Sequence, residues 1–349
     1  MRRAAIAFAL LAAALFGAST PLAKALIGEV APLVLAGLLY LGSGVGLLIW
    51  LAARKLAGTP GSEAPLAKPD LPWLAGSVLA GGVAGPALFL YGLAATDAAS
   101  ASLLLNLESV LTAALAWIVF RENVDTRVFL GMVAIVAGGA VLSWPQSAER
   151  AGLAGPLLIA AACFAWALDN NLTRRISGGD PVVIAAAKGL FAGASTLALG
   201  LAYGGVLPGA ATSLAAAAVG LVGYGISLVL FILALRDLGA ARTGAYFSVA
   251  PFFGAALALA LFGAPAGLAF WAAGALMALG VWLHLTERHV HEHVHEATEH
   301  EHRHAHDEHH RHAHDFTWDG REPHSHRHRH ERLAHRHPHF PDTHHRHAH

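Results

Sequence analysis

The hydrophobic positions of the chain fall in long uninterrupted runs rather than in short alternating blocks. Ten apolar runs recur between residues 4 and 286, separated by turn-forming connections such as Pro60-Gly61-Ser62-Glu63 and Ser177-Gly178-Gly179-Asp180. Each run has roughly 18–24 residues, which is enough to cross a bilayer as one helix. The predicted spans are 4–26, 31–53, 71–94, 98–119, 127–145, 153–173, 181–203, 213–235, 241–262 and 267–286.

Composition supports a membrane protein and excludes a soluble enzyme. Of the 349 residues, 55% are hydrophobic and 13% are charged, whereas a soluble domain carries about 25% charged residues. So few polar side chains cannot cover the surface of a water-soluble globule. The single cysteine, Cys163, cannot build a disulfide or a thiolate metal cage. We therefore predict an all-α integral membrane protein that is not an enzyme.

Basic residues are distributed unevenly between the two ends of the predicted spans. With the N-terminus in the cytoplasm, the cytoplasmic segments hold eleven Lys and Arg residues, and the outer ends hold only Lys24 and Arg150. Cytoplasmic loops of membrane proteins carry such an excess. The sequence therefore predicts a multi-pass inner-membrane protein with both termini in the cytoplasm.

The first run has two interpretations. Arg2-Arg3 followed by apolar residues and Phe16-Gly17-Ala18-Ser19 is similar to a cleaved secretory signal. An internal repeat favours a retained helix instead, because a cleaved signal would not form half of a duplicated unit. The aligned pairs of segments are 16–26 with 166–176, and 93–110 with 235–252.

The repeat predicts the organisation of the membrane body. We expect two five-helix repeats, 1–147 and 151–286, followed by a tail at 287–349. An odd number of spans per repeat inverts the second copy relative to the first. Inverted repeats are typical of transporters that bind substrate near the midplane and work by alternating access.

The fourth predicted helix carries a recognisable pattern. The segment Ser100-Ala101-Ser102-Leu103-Leu104-Leu105-Asn106-Leu107-Glu108-Ser109 precedes Trp117-Ile118-Val119-Phe120-Arg121-Glu122 and Gly131. This pattern resembles the EamA domain of the drug/metabolite transporter superfamily, and the resemblance covers residues 4–286. It implies ten helices and ion-coupled export of small metabolites. The absence of a GxxxxGKS or GxxxxGKT phosphate-binding loop agrees with transport that ATP does not drive.

The two repeats depart from that pattern unequally. Where the family often has an arginine in the second helix of each repeat, this chain has Leu39 and Lys188. Glu108 of the first repeat is matched by Ala250 in the second. We therefore expect the polar functions to be divided unequally between the repeats.

Three ionisable residues, Glu108, Asp169 and Lys188, lie well inside predicted spans. Such a residue costs on the order of 2.5–3.5 kcal/mol on insertion scales, so it is typically functional or paired. Glu108 is predicted to bind substrate or carry a proton, with an ion pair to Lys188 as the alternative. Asp169 is either a cavity residue or an interfacial helix end. Lys188 binds an anionic substrate group, pairs with Glu108 or snorkels toward the cytoplasm.

Uncharged polar residues complete the predicted substrate pathway. Asn106 precedes Glu108 by two positions, and Asn170 follows Asp169 directly. Tyr246 either lines the same cavity or forms an interhelical hydrogen bond.

Histidines are confined to the end of the chain. All 24 lie between His284 and His349, where they alternate mainly with Arg, Glu, Asp and Ala. Because apolar residues are sparse there, we predict a disordered cytoplasmic tail. Pairs of histidines one residue apart suit Zn, Ni, Co or Cu ions. The predicted metal ligands are His291, His293, His295, His300, His302, His304, His306, His310, His312, His314, His324, His326, His328 and His330.

The sequence leaves three functions open. The first is secondary-active export of a small polar metabolite, with the tail as a metal-binding regulator. The others are efflux of divalent Ni, Co or Zn with the tail as collector, and a non-transporting membrane metal sensor. No cofactor is expected to be required beyond ions bound by the tail. The expected partners are the lipid bilayer and a small-molecule or ion substrate; a coupling proton and a homodimer are compatible with the sequence, and nucleic acid is not expected.

Overall fold

The computed structural model describes most of the predicted membrane body and four short pieces of the tail. The described residues are 2–58, 66–120, 126–143, 153–263, 266–286, 290–295, 299–304, 324–329 and 333–338. The predicted boundary between the repeats, at residues 147–151, lies outside these ranges, as does Glu122.

Thirteen α-helices make up the described part of residues 2–286. They are α1 (Arg2–Ile27), α2 (Pro32–Leu56), α3 (Leu71–Ser77), α4 (Gly85–Ala94), α5 (Ala98–Leu104), α6 (Leu107–Phe120), α7 (Thr126–Ser143), α8 (Ala154–Ile176), α9 (Pro181–Ala202), α10 (Ala210–Gly220), α11 (Ser227–Phe247), α12 (Ala250–Phe262) and α13 (Leu268–Leu285). A 3₁₀ turn at Lys68–Asp70 precedes α3, and π-helical segments at Val78–Ala84 and Leu221–Ile226 join α3 to α4 and α10 to α11.

The predicted ten-span architecture is confirmed. Nine stretches within the described ranges are helical, long and apolar enough to cross a bilayer. The tenth is α8, whose 23 residues extend over roughly 34 Å. It is less apolar than the others because its last third contains Asp169, Arg174 and Arg175. That polar end supplies several residues of the site described below.

Local sequence explains where several helices begin and end. Pro32 and Pro181 occupy first-turn positions of α2 and α9, where the missing proline N–H costs no helical hydrogen bond. The Asp180 carboxylate caps α9 by accepting from the Val182 N–H at 2.9 Å. Gly263 ends α12 with φ of +57°, a left-handed conformation that favours glycine.

The two repeats interlock. The second helix of each repeat, α2 and α9, pack against each other, and so do the fifth helices, α7 and α13. The first helix of each repeat packs on the other repeat: α1 contacts α11 and α12, and α8 contacts α4 and α6. This exchange is the inverted pseudo-twofold arrangement that the sequence predicted, and it makes α1 an integral part of the body.

Glycines allow α2 and α9 to approach closely. A Cβ atom on Gly44 would lie 2.5 Å from the Leu190 backbone nitrogen, and one on Gly193 would clash with the Leu41 backbone nitrogen. Small residues drive such packing in membranes, because lipid removes the hydrophobic contribution to helix association.

Two basic side chains bind acceptors at the ends of neighbouring helices. The Arg54 guanidinium, near the end of α2, contacts the Asp180 carboxylate at 2.7 Å, where α9 begins. At the opposite end of the bundle, Lys24 Nζ donates to the carbonyls of Leu93 at 2.6 Å and Thr96 at 2.8 Å. These carbonyls lie at the end of α4, where a cation is favourable.

The described tail segments are four short strands. They are β1 (Val290–His295), β2 (Glu299–His304), β3 (His324–Arg329) and β4 (Leu333–Pro338). β1 pairs antiparallel with β4, and β2 with β3, in two separate two-stranded ladders. A lone two-stranded ladder is at most marginally stable in water, and the four described strands form no larger sheet.

Candidate functional site

Two spans leave α-helical geometry at corresponding positions of the repeats. The π-helical segments Val78–Ala84 and Leu221–Ile226 lie in the third span of the first repeat and in its counterpart in the second. Short π-helical segments inside α-helices are frequently found at functional sites. No pattern in the sequence predicts these two segments, although both contain paired or closely spaced glycines.

The first π-helical segment exposes a backbone carbonyl to neighbouring helices. The Gly85 N–H donates to Ala80 O, five residues back, as in a π-helix. The corresponding donor for Gly81 O would be the N–H of residue 86, but that residue is Pro86, which has no N–H. Two side chains replace that donor: Tyr40 Oη donates to Gly81 O at 2.9 Å and Trp166 Nε1 at 3.0 Å. The segment is thus tied to α2 and α8.

A buried ion pair lies beside this segment. Lys188 Nζ on α9 contacts both carboxylate oxygens of Asp169 on α8, at 2.6 and 2.8 Å. Thr173 Oγ1 donates to Asp169 Oδ1 at 2.9 Å and accepts from Lys188 Nζ at 3.1 Å. The side chains of Asp169 and Lys188 are only 11% and 5% exposed. Each charge is therefore neutralised inside the protein.

Glu108 lies next to this pair but belongs to a separate contact. Asn170 Nδ2 donates to Glu108 Oε1 at 2.7 Å, and both side chains are half-buried. Ten residues separate Glu108 from the start of α5 and twelve from the end of α6, which places it near the middle of the span. Among the side chains that the structure describes, no cation pairs with Glu108.

The span that carries Glu108 changes to a tighter turn just before it. The helix is interrupted at Leu105–Asn106 between α5 and α6, and the second repeat is interrupted at the corresponding Ser248–Val249 between α11 and α12. Asn106 is 1% exposed, and its Nδ2 donates to Leu103 O at 3.0 Å. Its Oδ1 is among the buried oxygens that have no hydrogen-bond partner in the described structure. The turn stays closed by hydrogen bonds to the third preceding residue, from Leu105 N–H to Ser102 O at 3.2 Å and from Asn106 N–H to Leu103 O at 3.0 Å. Such a tightened turn inside a helix often marks a hinge.

The charged groups occupy only one half of the pseudo-symmetric centre. A Cβ on Gly81 would meet the Asp169 carboxylate, and a Cβ on the matching Gly223 would meet Ser19. Ser19 is the position that aligns with Asp169, and its hydroxyl donates to Phe16 O in its own helix. The unequal division of polar residues that the sequence predicted is therefore present in the fold.

Aromatic rings fill the space between the two halves. Trp166 packs edge-on to Phe16 with centroids 6.1 Å apart, and Phe16 lies 5.8 Å from Tyr224. Tyr224 in turn lies 5.1 Å from Tyr40. Trp166 is one helical turn from Asn170, so this aromatic chain continues from the polar contact of Glu108 into the centre of the bundle.

This geometry decides between the sequence-based alternatives for three residues. Lys188 pairs with Asp169 and not with Glu108, and it is buried rather than snorkelling to an interface. Asp169 is 8% exposed and paired with Lys188, so its carboxylate is buried inside the bundle rather than facing solvent at the helix end. Tyr246 is not part of the polar cluster; it packs against apolar residues of α1 and α11 that include Ala5 and Ala234.

Comparison with known proteins assigns the family. The sequence profile of the EamA-like transporter family matches residues 3–144 and 153–286. The chain belongs to the EamA-like transporter family. Its resemblance to the EamA domain of the drug/metabolite transporter superfamily is thereby confirmed.

One similar protein is named as a transporter, and one solved structure shares the fold. An uncharacterized transporter of Methanothermobacter thermautotrophicus is 29% identical over 289 residues, covering 77% of this chain and 82% of the archaeal protein. A protein of known crystal structure superimposes with a TM-score of 0.60 at 21% identity, covering 80% of this chain and 94% of its own. The latter likeness concerns the fold alone.

The histidines of this EamA-like transporter divide between body and tail. His284 lies on α13, half-buried, with Nε2 3.1 Å from Val128 O on α7. The predicted ligands on β1, β2 and β3 are described as backbone positions, and His306, His310, His312, His314 and His330 lie outside the described residues. Where side chains are described, no three His, Cys, Asp or Glu residues form a cluster that could hold a metal ion.

The close approach of Gly81 to Asp169 gives a first prediction. Gly81→Ala is expected to displace the Asp169 carboxylate and to lower the melting temperature of the detergent-solubilised protein by several degrees, since a core overpacking of about 1–3 kcal/mol has that effect. Gly139→Ala is the control, because a Cβ there meets atoms only at 3.6 Å or beyond. Equal melting temperatures for the two variants would contradict the assignment.

Proposed function

We propose that this transporter is a secondary-active exporter of a small polar metabolite that carries a cationic group. The observation that carries the proposal is the carboxylate of Glu108, near mid-span and half-buried, which has an amide donor and no cation partner among the described residues. Asp169 and Lys188 neutralise each other, so neither is available to recognise a substrate charge. The charge that remains in the site is the negative charge of Glu108. A cationic group of the substrate, or a coupling proton, complements it.

The surroundings of Glu108 support an organic substrate. Trp166 on α8 and Tyr40 on α2 are held on the Gly81 carbonyl, next to the polar cluster. Aromatic faces attract cations and also cover apolar parts of a ligand. Alternating access would move the two repeats about this centre, with the π-helical segments and the helix breaks at Asn106 and Ser248 as the natural points of bending.

The proposed orientation follows from charge. The excess of Lys and Arg at the end of the bundle where α1 begins supports a cytoplasmic location for that end in the inner membrane. The His-rich tail after α13 would then be cytoplasmic. We propose that it binds divalent metal ions and regulates transport, because neutral imidazoles one residue apart are good ligands for Zn, Ni, Co and Cu.

The test compares cells that express the full-length protein, residues 1–286 or no transporter, at matched membrane abundance. We expect both protein forms to lower the cellular content of the same cationic metabolite and to raise it in the medium, measured by mass spectrometry. Total Ni, Co and Zn, measured by elemental analysis under metal load, should not fall in cells that express residues 1–286.

Other outcomes would replace this proposal. Lower metal content in full-length cells, with no metabolite exported, would establish metal efflux, the second candidate that the His-rich tail favours. A protein that moves neither metal nor metabolite in any form would instead act as a membrane metal sensor.

A further inference from the structure

A basic and aromatic surface patch lies where the third span of the first repeat meets the end of α8. The guanidinium carbon of Arg175 on α8 is 5.3 Å from the centroid of the Trp73 ring on α3, within the range of a cation–π contact. Both side chains are exposed, and so is Lys68 in the 3₁₀ turn that precedes α3. We call Lys68, Trp73 and Arg175 the basic patch. Its members come from both repeats.

Packing holds the start of the third span against the end of α8. A Cβ atom on Gly76 would lie 3.2 Å from Leu172 Cδ1, and one on Gly179 would lie 3.5 Å from Leu66 Cδ2. Residues 66–76 therefore lie along the last turns of α8 and the turn that follows. This places Lys68 at the same end of the bundle as the contact of Arg175 with Trp73.

The described carboxylates do not neutralise the patch. Asp70 is the only acidic residue in 66–77, and its carboxylate accepts from a backbone N–H at 2.9 Å. Asp180, the next acidic residue after Arg175, is bound to an arginine of α2 at 2.7 Å. Within the part of the chain that the structure describes, neither Lys68 nor Arg175 has a carboxylate partner. The patch therefore presents unpaired positive charge at the protein surface.

An apolar stripe of α8 continues from Arg175 into the membrane. Leu157, Phe164 and Leu168 are exposed and precede Arg175 by 18, 11 and 7 residues. These spacings are close to multiples of 3.6, so the four residues share one face of the helix. Leu168 lies about 10 Å from Arg175 along the helix axis. A ligand that contacts both the patch and the stripe has an anionic head and apolar chains.

We propose that the basic patch binds the headgroup phosphate of an anionic glycerophospholipid, whose acyl chains lie along the apolar stripe of α8. Arginine carries five N–H donors in one plane, so stacking on the Trp73 ring leaves the edge of the guanidinium free for phosphate oxygens. Tryptophan is enriched at membrane–water interfaces, and basic pockets between spans bind anionic lipid headgroups. The positive charge of the patch disfavours the ammonium group of a zwitterionic lipid.

The bound lipid connects the two repeats. It contacts α3 of the first repeat and α8 of the second, and α8 also carries Asn170, which donates to Glu108 at 2.7 Å. The lipid therefore stabilises the position of α8 against α3. This site is separate from Glu108, and its occupancy does not depend on which substrate Glu108 binds.

The test measures lipid binding to the full-length protein in detergent by native mass spectrometry, together with the melting temperature. The samples receive phosphatidylglycerol, phosphatidylcholine with the same acyl chains, or inorganic phosphate without lipid. Phosphatidylglycerol should stay bound and raise the melting temperature by about 2–4 °C more than phosphatidylcholine does, because a ligand that binds only the folded state stabilises it. Inorganic phosphate should leave the melting temperature unchanged.

Three variants and one control identify the site. Arg175→Gln and Lys68→Gln should each weaken binding of phosphatidylglycerol about tenfold or more, as expected for a lost hydrogen bond to a charged group. Trp73→Leu keeps an apolar side chain and should weaken it about two- to fivefold, since only the cation–π contact is lost. Lys55→Gln is the control, because Lys55 is an exposed basic residue on α2 and not part of the patch; it should keep the wild-type preference for phosphatidylglycerol.

Each variant is compared between the two lipids, so a general loss of stability does not imitate a loss of the site. Equal binding of both lipids by the wild type would overturn the proposal. Equal losses in Lys55→Gln and Arg175→Gln would show a general attraction of anionic lipid to basic residues, and would overturn the basic patch as a site. A rise in melting temperature with inorganic phosphate as large as that with phosphatidylglycerol would assign the patch to a soluble phosphate compound and overturn the lipid.

Discussion

Replacing Glu108 by glutamine is expected to reduce the rate of transport about 10- to 100-fold, because a hydrogen bond to a charged group contributes about 1.5–3 kcal/mol. Glutamine has the same size as glutamate. It also keeps an oxygen that can accept the hydrogen bond from Asn170 Nδ2, which is 2.7 Å long with Glu108 in the wild type. It removes only the negative charge. The initial rate should be measured in proteoliposomes with the metabolite identified in cells, together with the melting temperature, which should stay unchanged.

Ser109 provides the matched control for this experiment. It follows Glu108 directly, and its hydroxyl donates to Asn106 O in the preceding turn at 2.8 Å, so Ser109→Ala leaves the charge of the site in place. We expect its transport rate to stay within about twofold of the wild type, since a neutral hydrogen bond contributes about 1 kcal/mol or less. A wild-type rate for Glu108→Gln would remove Glu108 from the pathway. Equal losses in both variants would point to a disturbed helix break instead.

The architecture was predictable because the bilayer imposes it. Apolar runs must have the length of the hydrocarbon core, and so the predicted spans 31–53 and 181–203 differ by only a few residues from α2 and α9. The internal sequence repeat, with five spans in each copy, predicts that the second copy is inverted relative to the first. The two π-helical segments could not be predicted, because a register shift inside a helix depends on which neighbours are present to satisfy its carbonyls. Gly81 O finds Tyr40 and Trp166, which are distant in sequence.

The site was predictable in its members but not in its partners. The sequence identifies Glu108, Asp169, Asn170 and Lys188 as polar residues inside spans. Its alternatives for Lys188 include an ion pair with Glu108 but not the pair with Asp169. The pairing of Asp169 with Lys188 could have been inferred from how far each residue lies from the end of its helix. Asp169 lies seven residues before the end of α8 and Lys188 seven residues after the start of α9, so both lie roughly 10 Å from the same end of the bundle. Which side chains face each other depends on the rotation of each helix about its axis, and tertiary packing sets that rotation.

The ion pair of Asp169 and Lys188 leads to the prediction with the largest effect on stability. Asp169→Asn or Lys188→Met alone should each lower the free energy of unfolding by about 3–5 kcal/mol, because either change leaves the other charge buried without a partner. Both side chains are nearly inaccessible, at 11% and 5% exposure, so water cannot replace the missing charge. The yield of folded protein and its melting temperature in detergent measure the loss.

The double variant Asp169→Asn with Lys188→Met should recover most of that stability. It removes both charges together, and a buried pair replaced as a unit by neutral side chains of similar size is often close to neutral in stability. Thr173→Val serves as the control, since it removes a hydroxyl that contacts both partners but leaves the charges paired; its cost should be about 1 kcal/mol. Losses that simply add in the double variant would show that the two charges act independently. Transport by a stable double variant would in turn show that the pair positions α8 and α9 around Glu108 without itself binding substrate.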